Sequence, residues 1–159
     1  MDHVVFLALG SNMGNRLSNL RAVTNNLTPQ MAVKNKSSVY ETPPWGFAEQ
    51  APFLNQVVMA RTYLKPEALL GHLKRLETAL GRIPNFKNGP RLIDIDILFY
   101  DDLVMDTAAL DIPHPRLHER AFVLVPLAEI APDLIHPVLG KPVHELLDGV
   151  DRSDIKLFK

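Results

Sequence analysis

Arg91-Leu92-Ile93-Asp94-Ile95-Asp96-Ile97-Leu98-Phe99-Tyr100 is the stretch on which the fold turns. Side chains of a strand alternate between its two faces. Ile93, Ile95, Ile97 and Phe99 then share one face, the expected core. Asp94 and Asp96 share the other, roughly 7 Å apart along the strand. Two carboxylates in the middle of an apolar strand are costly without a counter-charge. Either they pair with Arg91 or another base on a solvated face, or they hold a hard cation such as Mg²⁺, which takes oxygen ligands, keeps waters and shares substrate phosphates. The D-x-D spacing alone does not separate the two.

Outward from this strand the pattern is regular. Val4–Leu9 is an apolar run closed by Gly10-Ser11-Asn12-Met13-Gly14, a strand and a turn. Asn15 or Ser18 can cap a helix with Leu17, Leu20, Val23 and Leu27 on one stripe. Residues 31–41 are β-compatible, and residues 53–63 alternate as a strand. Lys65-Pro66-Glu67 opens a helix whose face is Leu69, Leu70, Leu73, Leu76 and Leu80, with Gly81 as its stop. After the aspartate strand come a turn at Asp101-Asp102, a short extended piece at 103–105, a helix over 119–130 interrupted by Pro126, and one more helical turn at 142–147. The order β-α-β-β-α-β followed by helix predicts an α+β, ferredoxin-like fold over one domain, residues 1–159. Its antiparallel sheet carries helices on one face, with extra helices at the C-terminal end.

The chain has 159 residues, 47% of them hydrophobic and 22% charged, which excludes a disordered protein. It lacks cysteine, so disulfides, thiol nucleophiles and thiolate metal sites are excluded. Its net charge of −1 gives no basic excess for a nucleic acid or an anionic membrane. No segment approaches the roughly 20 apolar residues of a membrane span. A cytoplasmic protein, acting as a monomer on small molecules, is expected.

Further candidates surround the aspartates. Arg82, Lys87 and Arg91 precede them, and His114, Arg116, His118 and Arg120 follow. Such cations suit a phosphate-rich ligand, although exposed arginines also pair with nearby acids. His114 and His118 are four apart, but Pro115 lies between them and no third zinc ligand is evident. No P-loop or dinucleotide fingerprint is present, and 10–14 reads first as a plain turn. Phe53 and Asn55 share a strand face, where a ring beside an amide could stack on a flat heterocycle and read its edge; Phe122 could add a second ring. Phenylalanine in a core is the ordinary alternative.

Several blocks occur in one order: Leu9-Gly10-Ser11-Asn12, Tyr40-Glu41-Thr42-Pro43-Pro44, Phe53-Leu54-Asn55, Gly89-Pro90-Arg91 with Asp94-Ile95-Asp96, and Pro113-His114-Pro115-Arg116 with Glu119-Arg120-Ala121-Phe122-Val123-Leu124. Together they resemble the 6-hydroxymethyl-7,8-dihydropterin pyrophosphokinases of folate biosynthesis, over about residues 4–135. The resemblance implies a transferase that moves the β,γ-diphosphate of ATP onto the pterin hydroxymethyl oxygen and releases AMP. It implies two Mg²⁺ ions on Asp94 and Asp96. It implies pterin contacts from Phe53, Phe122, Asn55, Thr42, Pro43, Trp45 and Asn12, and ATP contacts from Lys74, Glu77, Ile97, His114, Arg116 and Arg120. Arg82 and Arg91 match the basic positions of a loop that closes over the phosphates. The different class to weigh against it is a non-catalytic ferredoxin-like module that binds a nucleotide or RNA. Such a module places aromatics, rather than carboxylates, on its open sheet face.

Overall fold

A computed structural model describes residues 2–43, 50–81 and 92–158. Trp45, Arg82 and Arg91 lie outside the described residues.

In chain order the elements are β1 (His3–Ser11), α1 (Arg16–Asn26), β2 (Met31–Lys36), β3 (Tyr40–Thr42), β4 (Phe53–Thr62), α2 (Pro66–Ala79), β5 (Asp94–Tyr100), β6 (Met105–Asp106), β7 (Asp111–Ile112), a 3-10 turn (Leu117–Glu119), α3 (Ala121–Ile130), α4 (Val143–Asp148) and β8 (Lys156–Leu157). The main sheet runs β5-β1-β4-β3-β8, with β2 on the same edge of β4 as β3. Every pairing is antiparallel. The expected ferredoxin-like order is therefore present, with β5 at the edge and β1 inside.

Local chemistry sets the element ends. The Asn15 side chain accepts from the Ser18 N–H at 3.1 Å and starts α1. Pro66 opens α2, and Gly81 ends it at φ +101°, where a side chain would be strained. Leu20, Val23, Leu27, Leu69, Leu73 and Leu76 of these helices pack on Val5, Leu7, Leu9, Ile95 and Ile97 of the sheet.

The structure corrects the sequence reading in four places. Helices cover both faces: α3 and α4 pack on Phe6, Val57, Leu98 and Phe99 of the opposite side. Phe99 thus does not share a face with Ile93, Ile95 and Ile97. A β-bulge opposite Phe6 and Leu7 inserts Leu98, so Leu98 and Phe99 both turn toward α3. The strand expected over 31–41 breaks at 37–39, because Ser37 and Glu129 take the ladder's place. The Val57 N–H donates to Ser37 Oγ at 2.9 Å, and the Ser38 N–H donates to the Glu129 carboxylate at 3.0 Å. Finally, the helix expected from Glu119 begins at Ala121, after extended Arg120. The short extended piece expected at 103–105 overlaps β6 only at Met105, and β7 and β8 had no clear signal in the sequence.

Candidate active site

Register builds the site. Gly10 lies opposite Asp94 on one side and Asn55 on the other, and Ala8 lies opposite Asp96. Thr42 lies opposite Phe53. Paired residues face the same way, so two carboxylates, an amide, a hydroxyl and a ring form one row on the α3 side of the sheet. α3 covers only part of that side. Its first turn, with extended Arg120 before it, brings Arg120, Phe122 and Val123 to the edge of the uncovered part. The resulting cavity is lined by Gly10, Thr42, Pro43, Phe53, Asn55, Asp94, Asp96, Arg120 and Phe122, with Ala8, Leu9, Gln56 and Val123.

One end of this cavity is neutral and flat-walled. Asn55 is buried, and its Nδ2 donates to Thr42 Oγ1 at 2.9 Å, which fixes the amide's orientation. Gly10 is the floor: a Cβ there would stand 3.5 Å from Asn55 Oδ1 and 3.6 Å from the Phe53 ring. The other end is charged. Burial first, and then the Asp94 charge, push the Asp96 carboxyl up to about 7, against the opposing pull of Arg120. The Arg120 guanidinium lies 5.6 Å from the Phe122 ring centroid. Its Nε is buried and has no hydrogen-bond partner among the described residues. Burial also lowers its pKa.

A second cavity opens along the edge of β5 and is lined by Lys74, Ile95, Asp96, Ile97, His114 and Pro115, among others. Asp96 borders both cavities. Glu77, 1% exposed, accepts the Ile95 N–H at 2.8 Å and pins the backbone between the aspartates. Its other oxygen lies 3.5 Å from Lys74 Nζ. The bulged Leu98 carbonyl accepts the His114 N–H at 3.0 Å and so sets His114 beside Asp96. Burial, Arg120 and Arg116 push the His114 imidazole down to about 4. Its Nδ1 accepts the Arg116 N–H at 3.2 Å, so the neutral ring carries its hydrogen on Nε2.

Two candidates stand apart. Arg116 pairs with Glu119 at 3.2 Å and borders neither cavity. Asn12 holds Gln50 and the Ala51 carbonyl, at 2.8 and 3.0 Å. Asn19 stitches the 11–14 turn, donating to Ser11 Oγ, the Met13 carbonyl and the Leu92 carbonyl. Ala8, Leu9, Gly10, Gln56 and Val123 were missed as lining residues. The first four come to the cavity through strand register and Val123 through the packing of α3, and neither has a local signal.

The donor set suits a hard cation. Two carboxylates on one strand face disfavour each other's charge, and a cation would relieve that. Among the described residues no group of three or more His, Cys, Asp or Glu could form a closed metal cage. An open two-carboxylate set leaves positions for water and phosphate oxygens, as Mg²⁺ prefers.

A family model described as 7,8-dihydro-6-hydroxymethylpterin-pyrophosphokinase (HPPK) matches residues 6–132. The chain belongs to this family. Among relatives of this pyrophosphokinase, the 2-amino-4-hydroxy-6-hydroxymethyldihydropteridine pyrophosphokinase of Aquifex aeolicus is 46% identical over 141 residues, covering 89% of this chain and 88% of that one. The enzyme of the same name from Methylorubrum extorquens is 44% identical over 153 residues, covering 95% and 96%. A folic acid synthesis protein of Dictyostelium discoideum is 44% identical over 138 residues, which is 87% of this chain and 21% of that longer one. In fold, the HPPK-DHPS of Plasmodium falciparum solved with pteroate superposes with a TM-score of 0.77 at 16% identity, covering 92% of this chain and 44% of that one. The alternative of a non-catalytic nucleotide- or RNA-binding module finds no support in these likenesses.

Proposed function

We propose that the two cavities are the two halves of the family's active site. The pterin lies in the first, against Phe53, Phe122, Asn55 and Thr42, and ATP runs from the second across Asp96. The chain is a pyrophosphokinase of folate biosynthesis with ATP as co-substrate, as its family membership implies. The pterin's hydroxymethyl oxygen attacks the β-phosphorus of ATP. The bond from that phosphorus to the α,β-bridging oxygen breaks, AMP leaves with the electron pair, and the hydroxyl proton passes to solvent or a phosphate oxygen. Asp94 and Asp96 would hold Mg²⁺, two ions by the family resemblance, which would neutralise the triphosphate and make the β-phosphorus more electrophilic.

The protein's own groups do the rest. The Phe53 and Phe122 rings bury a flat heterocycle, and the fixed Asn55 amide reads its hydrogen-bonding edge. Arg120 brings a buried N–H and a positive charge to the side where phosphate oxygens gain charge. Neutral His114 offers Nε2–H to the nucleotide. Trp45, Asn12, Arg82, Arg91, Ile97, Lys74, Glu77 and Arg116 complete the reading on the strength of the family resemblance. The 159 residues act as one cytoplasmic, monomeric domain that binds neither nucleic acid nor membrane; the near-zero net charge supports this, and no helix among the described residues is long and apolar enough to cross a membrane.

The observation that carries the proposal is the single cavity with an amide-and-ring end and a carboxylate-and-arginine end. Its test is calorimetric titration of Phe122→Ala and Asn55→Ala, with ATP·Mg²⁺ alone and then with pterin plus a non-hydrolysable ATP analogue. Each change is expected to weaken pterin binding by about 1–3 kcal/mol and to leave ATP·Mg²⁺ binding nearly unchanged. Loss of ATP affinity with pterin affinity retained would assign the ring to the nucleotide instead.

A further inference from the structure

Arg16 occupies the first turn of α1, where a cation meets the positive end of the helix dipole. The sequence analysis gave it no role, yet its contacts are specific. Nη1 lies 2.7 Å from Glu41 Oε2 and donates to the Pro52 carbonyl at 3.0 Å. Glu41 immediately precedes Thr42, and Pro52 immediately precedes Phe53. Thr42 and Phe53 face each other at the last rung of the β3–β4 ladder. One nitrogen therefore bridges the two strands just where their pairing ends. Terminal rungs open most easily, so a bridge at this place acts on the pocket wall more than on the core.

The same guanidinium lies 5.7 Å from the centroid of the Phe158 ring. Phe158 is held in turn: its N–H donates to the Val39 carbonyl at 2.9 Å, and β8 pairs Lys156 with Glu41 and Leu157 with Tyr40. The C-terminal strand thus backs the outer edge of β3 and lays a ring against the arginine that ties β3 to β4. A lysine cannot reproduce this. Its ammonium could serve Glu41 and the Pro52 carbonyl, but it lacks the planar guanidinium that lies against the Phe158 ring.

We propose that Arg16 is a positioning residue for pterin, with the C-terminal strand as its outer brace. It keeps Thr42, Phe53 and Asn55 aligned as one wall of the cavity. This rests on the assignment of that cavity to pterin above. The role acts on substrate binding at one end of the site, so it should divide the kinetic constants rather than lower them all.

The test compares Arg16→Gln, Arg16→Lys and Phe158→Ala with the pocket variant Asn55→Ala. Steady-state kinetics would be measured for both substrates, with hydrogen exchange on the unliganded proteins. Arg16→Gln is expected to raise the pterin KM by about threefold to tenfold, the scale of one partly buried ion pair with one added hydrogen bond. The ATP KM and kcat should stay within about twofold. Amides of residues 40–42 and 53–55 should exchange faster while those of α2 do not. Arg16→Lys should recover part of the loss, and Phe158→Ala should shift the pterin KM in the same direction by less. An unchanged pterin KM in Arg16→Gln, while Asn55→Ala raises it, overturns the positioning role alone. Equal rises in both KM values with faster exchange throughout also overturn it, because the effect would then be general destabilisation. If Asn55→Ala itself leaves the pterin KM unchanged, the pocket assignment falls, and the positioning role falls with it.

Discussion

Asp96 carries its charge where burial and Asp94 oppose it, and this sets a conflict between stability and chemistry. Its pKa in the fold is raised from 3.8 to about 7, so the folded protein holds the proton more tightly than the unfolded chain. The charge therefore destabilises the fold as pH climbs from 3.8 through 7. Asp96→Asn should make the metal-free protein more stable at pH 8, by about 1 kcal/mol or more, and should abolish most turnover. Asp94→Asn should likewise lose turnover while staying folded, with the loss in kcat more than in pterin affinity. Wild-type kcat at saturating Mg²⁺ in either variant would remove the metal assignment. His114 runs the other way. Its pKa falls from 6.5 to about 4, so the unfolded chain takes the proton first and stability drops as pH falls through that window. Urea denaturation should show the wild type losing up to about 3 kcal/mol more than His114→Gln between those pH values. Equal losses would mean that the imidazole is not buried as described. The residue types and their spacing in this site were legible in the sequence. The spatial relations that give Asp96 and His114 these properties were not, because Arg120 and Glu77 reach them only through tertiary packing.

At the scale of elements, caps and stops were legible because their causes are local. Asn15, Pro66 and Gly81 each act within a turn of themselves. Gly81→Ala tests the last of these. It would place a Cβ at φ +101° and 3.0 Å from a Leu92 methyl, at the approach to the aspartate strand. A stability loss of about 1–2 kcal/mol in thermal or urea unfolding is expected, from strain at the helix stop and the crowded leucine. A neutral result would mean that the turn relaxes freely. What was not legible depends on distant partners. The break at 37–39 needs Glu129, some ninety residues on, whose carboxylate takes the Ser38 N–H and the Tyr40 hydroxyl, the latter at 2.6 Å. Burial first, and then that acceptor, hold the Tyr40 phenol up at about 12. Sequence periodicity cannot foresee a ladder bond replaced by a side chain from another helix.

Across the whole molecule, the sheet separates two duties. The face under α1 and α2 is closed by apolar packing, and the α3 face is closed in one part and open in another. Leu73→Ala, in the closed face, should cost about 2–5 kcal/mol of stability and leave both KM values unchanged for the molecules still folded. A shifted KM in that variant would show that the two faces are coupled. The order of the main elements was readable from periodicity and local turn and cap signals. Which part of the sheet face stays open was not, because it depends on where α3 begins to cover it. Both duties meet in β5, and there the extra residue at Leu98 acts as a half-period slip of phase. Ahead of it, the even-numbered side chains Asp94 and Asp96 point to the cavity. Behind it, odd-numbered Phe99 points that way, and Tyr100 returns to the α2 side, where its hydroxyl donates to the Leu64 carbonyl at 2.8 Å. Removal of that one residue would leave the strand's composition almost untouched and make its two halves incompatible. The chain could seat its carboxylates or its aromatic pair correctly, and it could not do both.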